Sequence, residues 1–105
     1  MSEFTRKVDE LDKEQTFKEQ IVEYMRAKGF RVQGGSSQNT LHLFRHNTNI
    51  DGEVTETTIH IDGLKKNDFR LNIDISFRSN EGGRVLQNYW KSVSEEDLIR
   101  ELRFI

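Results

Sequence analysis

Three histidines and two carboxylates are the residues of this 105-residue chain whose types and spacing could do chemistry: His42, His46, His60, Glu56 and Asp74. Histidines invite a metal, but His42 and His46 are four apart in a stretch that alternates like a strand. That leaves them roughly 13 Å apart along the backbone, too far to share an ion without help from another element. His60 is closer to Asp62, which sits at a turn. No four-ligand tetrahedral pattern can be assembled, so no metal and no cofactor is expected.

Acid–base chemistry would need Glu56 and Asp74 side by side and out of water, where like charges disfavour joint ionisation and raise one pKa. Nothing in the pattern excludes water from them. The chain has no Gly-x-Ser-x-Gly elbow, no His-Glu-x-x-His and no glycine-rich dinucleotide loop. Gly34 to Ser37 resembles a phosphate nest in composition, yet it leads into a strand and lacks the Gly-Lys-Ser/Thr and helix of a Walker loop. These absences weigh against an enzyme, and catalytic residues are assigned to none of the chain.

The element that would position the chemistry-bearing residues is Phe69 to Phe77 (FRLNIDISF). Phe69, Leu71, Ile73, Ile75 and Phe77 alternate with Arg70, Asn72, Asp74 and Ser76, giving a strand with one dry and one wet face. Thr40 to His46 and Val54 to Ile61 read as two further strands, joined through Asp-Gly turn signals into a meander. Placing His46 opposite Val54 and Ile61 opposite Phe69 puts Leu41, Leu43, Ile59 and Ile61 on the dry face as well. The wet face then carries the rows Thr40, His60, Arg70; His42, Thr58, Asn72; and Phe44, Glu56, Asp74. Arg84 to Tyr89 is a poorly alternating fourth strand, and Phe30 to Gln33 a short edge strand.

Helices complete the picture. Thr16 followed by Glu19 is a capping-box signature for a helix over Phe17 to Lys28, with Phe17, Ile21, Tyr24 and Met25 as its stripe and Gly29 ending it. Ser94 followed by Asp97 starts a C-terminal helix with Leu98, Ile99, Leu102 and Ile105 inward, acidic residues at its positive end and arginines at its negative end. Phe4, Val8 and Leu11 fall at helical spacing in a charged stretch, a short N-terminal helix over Ser2 to Lys13. The expected fold is α+β: a single domain over 1–105, built as a two-layer sandwich. One face of an antiparallel meander of three to five strands is covered by N-terminal and C-terminal helices.

Composition bounds the function. Hydrophobic residues make up 33% and charged residues 32%, and 16 Lys and Arg against 18 Asp and Glu leave a formal charge of -2. That balance supplies no global field to recruit nucleic acid or an anionic membrane. With no cysteine there are no disulfides and no thiol nucleophile; with no proline there is no polyproline ligand. The first ten residues carry no hydrophobic signal region, and no apolar run is long enough to span a bilayer, so a cytoplasmic protein is expected.

What remains is a protein-binding module acting as an adaptor, inhibitor or regulator. Its interface candidates are His42, Phe44, Glu56, His60, Arg70, Asn72 and Asp74 on the wet face. Tyr89 and Trp90 form a second pair of aromatic anchors, with Trp90 weighed more heavily as a cap on the core beneath the C-terminal helix. The alternative is a nucleic-acid-binding domain stacking bases on the same face, with Lys65 and Lys66 beside it. A sheet edge pairing with its own copy would give a homodimer. A compact, cysteine-free chain of this size also suits an accessory protein of a phage or mobile element.

Overall fold

The structure, a computed structural model, describes residues 17–66 and 68–105. The helix expected over Ser2 to Lys13 and the Thr16 cap lie outside the described residues. Within them the chain runs α1 (Phe17–Arg26), β1 (Arg31–Val32), β2 (Leu41–Thr48), β3 (Val54–Asp62), β4 (Phe69–Ser79), β5 (Gly82–Val93) and α2 (Glu95–Arg103). The strands form an antiparallel meander in the order β1-β2-β3-β4-β5, with both helices on one face. Among the described residues no helix is long and apolar enough to cross a membrane.

The helices form where the local chemistry asks for them. α1 buries Ile21 and Met25 from one stripe, and its end is turned by Gly29 at φ +91°, after which the Phe30 N–H donates to the Met25 carbonyl at 3.1 Å. Phe30 thereby folds back into the core. α2 is capped by Ser94, whose hydroxyl accepts from the Asp97 N–H at 3.1 Å, and it buries Leu98, Ile99 and Leu102. A basic clasp fastens the two helices. The Lys28 ammonium donates to the Leu102 and Arg103 carbonyls at the negative end of α2 (2.9 and 2.7 Å). Arg45 on β2 lies 4.4 Å over the Phe30 ring and donates to the Lys28 carbonyl.

Leu41, Leu43, Ile59, Ile61, Phe69, Leu71 and Ile73 line the inner face, all buried beneath the helices. Ile75 and Phe77 share that face but are half-buried, because α1 and α2 cover only the other end of β4. The register departs from expectation by two residues in both central hairpins: His46 pairs with Glu56 rather than Val54, and Ile61 with Leu71 rather than Phe69. With Thr48 opposite Val54 and Asp62 opposite Arg70, the first turn is tighter than expected and the second is shifted by one residue along the chain. Asn49 closes the first, its side-chain oxygen accepting from the N–H groups of Asp51 and Glu53. The second turns at Gly63, φ +83°, where an added Cβ would lie 1.9 Å from the Asp68 carbonyl oxygen.

β5 is the largest correction. It runs twelve residues, through Trp90 to Val93, with a bulge opposite Ile75 and Ser76. Trp90 therefore does not cap the core. It pairs with Asn72 on the outer face and is 43% exposed, whereas Tyr89 pairs with Ile73 on the helix-bearing face.

Candidate functional site

A slip of two residues keeps every side chain on its expected face but changes which ones are neighbours. The central outer row is His42, His60, Asn72 and Trp90, one residue from each of four strands. The imidazoles of His42 and His60 stack with centroids 4.3 Å apart and planes 22° apart, and the His60 ring meets Trp90 edge-on at 6.0 Å. Arg70 lays its guanidinium 5.3 Å over the Trp90 ring.

At the other end of the row, the Gly34–Ser37 loop closes on β2. The Ser36 hydroxyl accepts from the His42 N–H at 2.9 Å, and the Gln33 N–H donates to the His42 carbonyl. Gly35 sits so near that a Cβ there would come within 3.0 Å of His42 Nδ1. Gly35 thus serves a close approach to an imidazole.

Burial holds the His60 pKa below its ordinary value of 6.5; the neighbouring His42 pushes the same way, and Asp62 and Asp74 partly oppose it. The packing around His60 therefore favours its neutral ring. Among the described residues no group of three or more His, Cys, Asp or Glu side chains is placed to hold a metal ion.

The next row is Phe44, Thr58, Asp74 and Asn88. Here the polar groups satisfy one another. Asp74 accepts from the Ser76 hydroxyl and the Asn88 amide, both at 3.2 Å; Asn72 donates to the Asn88 side-chain oxygen and the Tyr89 carbonyl, both at 2.8 Å. Asn72 is itself 4% exposed, so it braces the β4–β5 pairing rather than presenting a contact. Phe44 stays half-buried beside His46, ring centroids 5.9 Å apart.

Glu56 is not the cross-strand neighbour of Asp74. It lies opposite Ser76 and pairs with Arg78 at 3.1 Å. The like-charge pair that would have raised a carboxyl pKa is therefore not assembled, and the acid–base reading of these two residues loses its geometric basis.

A scan of protein-family models and searches of curated proteins and solved structures give no match. The chemistry of the surface has to stand without analogy.

Sequence reasoning missed Val85 and Leu86, 63% and 51% exposed. With Trp90 and Tyr89 (44%) they make β5 the most apolar exposed strand described. The bulge hid them: it inserts one residue, so inward and outward positions exchange parity midway and no alternation can be read. The clue in the sequence is the run Val85 to Trp90, six residues without charge, proline or glycine.

Proposed function

We propose that the chain is a non-catalytic protein-binding module of adaptor, inhibitor or regulator type, which contacts its partner through the outer sheet face around Trp90. The observation that carries this reading is the setting of that indole. It is 43% exposed, yet it is held by the His60 ring edge, the Arg70 guanidinium and its strand pairing. Tryptophan and arginine dominate interface hot spots, and an aromatic already fixed in place loses little conformational entropy on binding. Phe44, His42 and His60 extend the patch across β2 and β3, while Asp74 and Glu56 turn to intramolecular partners.

Those same pairings favour one second reading, single-stranded nucleic acid. With both carboxylates engaged, an exposed row of rings beside Arg70 is a surface on which bases stack. Affinity capture from nuclease-treated lysate, comparing wild type with a folded Trp90→Ala, Phe44→Ala double variant, separates the two. A partner that survives nuclease and is lost in the variant supports protein binding. Capture that vanishes with nuclease, and weakens steeply with salt and with Arg70→Glu, moves the function to nucleic acid.

A further inference from the structure

His42 holds the loop that leads into its own strand. Its N–H donates to the Ser36 hydroxyl at 2.9 Å and its carbonyl accepts from the Gln33 N–H at 2.8 Å, so both of its main-chain groups face the loop side of β2. In an antiparallel sheet that orientation brings the side chains of a cross-strand pair closest. His42 and His60 are such a pair, and their rings stack 4.3 Å apart. Along its Nδ1–Cε1 edge the His42 ring meets the loop again, where a Cβ on Gly35 would come within 3.0 and 3.2 Å. One imidazole therefore touches both the loop and the second imidazole.

No group in contact compensates a proton placed on this pair. Among the described residues neither ring has a hydrogen-bond partner or a carboxylate at ion-pair distance. The charged groups that face it are Asp62 on its own β3 and Arg70 and Asp74 on β4; Glu56 is drawn to Arg78, and β5 brings uncharged Asn88 and Trp90. Residues 33–40 carry no charge of their own. The charges that reach the loop from outside are positive: Lys18 of α1 donates to the Ser37 carbonyl, and the β3–β4 turn sets Lys65, with its neighbour Lys66, against Asn39. One imidazolium can stay stacked on a neutral imidazole, as a cation on a π face. Two at this separation repel.

We propose that the His42–His60 pair is a proton-operated latch on the Gly34–Ser37 loop, closed while at least one ring is neutral and released when both carry protons. Repulsion drives the rings apart, and because Gly35 already lies against His42, movement of that ring is passed to the loop and to the Ser36 hydroxyl that holds its N–H. His60, held below 6.5, keeps the latch closed at neutral pH and lets it open on acidification. The inference uses contacts within this chain alone, so it stands or falls apart from the reading of the outer face as an interface.

The test is NMR of the isotope-labelled full chain from about pH 7.5 to about pH 4.5, following the histidine ring signals and backbone amide exchange corrected for its intrinsic rate. The rings of His42 and His60 are expected to titrate as a coupled pair in two separated steps. Protection of the His42 amide should fall by about tenfold or more through the second step, while the core amides of Ile59 and Leu71 keep theirs. His60→Phe leaves a ring to stack on but no proton to take up, and His60→Gln removes both; in each, protection at His42 should change by less than about twofold. His46→Gln should behave as wild type. A His42 amide that stays protected through both steps overturns the proposal. So does a loss of protection that persists in both His60 variants, or one that the core amides share, since that is acid unfolding and not release of a loop.

Discussion

The inner and outer faces of β2, β3 and β4 are built from alternate residues of the same strands but by different means. Inside, Leu41, Leu43, Ile59, Ile61, Leu71 and Ile73 form an aliphatic layer closed over by α1 and α2. Their contribution is additive burial, at about 25 cal/mol per Å2 of apolar surface removed from water. Outside, His42, His60 and Trp90 meet ring to ring, while Asn72 in the same row is tied to Asn88 and the Tyr89 carbonyl. The inner face makes the fold, and the outer face holds a few half-exposed rings in a fixed arrangement upon it.

That contrast predicts a steep difference in what substitution costs. Ile59→Ala should destabilise the domain by about 2–5 kcal/mol, read from urea unfolding, because the side chain is fully buried and the cavity cannot collapse against a sheet. Trp90→Ala, on the opposite face, should cost only about 1 kcal/mol, chiefly the Arg70 contact and part of a half-exposed ring. If Trp90→Ala proved as damaging as Ile59→Ala, the indole would be a core residue and the distinction between the faces would fail.

The smallest effect concerns protons. His60 has a folded pKa below 6.5, so between that lowered value and 6.5 the unfolded chain binds more protons than the folded one. Its contribution to stability is present above about pH 6.5 and is lost as pH falls through the folded pKa. Urea midpoints measured from pH 7.5 down to pH 5 should therefore decline by less in His60→Gln than in wild type. An equal decline would show that His60 is not held below its ordinary pKa by its burial and its neighbours.

The inward and outward faces of β2, β3 and β4 were legible in the sequence because parity survives a register slip of two residues. The lateral neighbours were not. They depend on turns set by the Asn49 side chain and by the backbone approach at Gly63, contacts that periodicity does not encode. Hence Glu56 was expected beside Asp74, and the His42–His60 stack was not anticipated. The cap at Ser94 and the reversal at Gly29 were legible because both are local chemistry within a few residues. β5 was not, since its inner positions Gln87, Tyr89 and Lys91 lie where they need not be apolar, and its bulge breaks the alternation.

The meander also separates short loop closures from long ones. The turns between β2 and β3, β3 and β4, and β4 and β5 span five, six and two residues, so each hairpin closes a short loop and can form as soon as its strands exist. The clasp is different: Lys28 must find Leu102 and Arg103 across 74 and 75 residues. The four longer strands are thus joined by short loop closures, whereas fastening α1 to α2 carries the closure entropy of nearly the whole described chain.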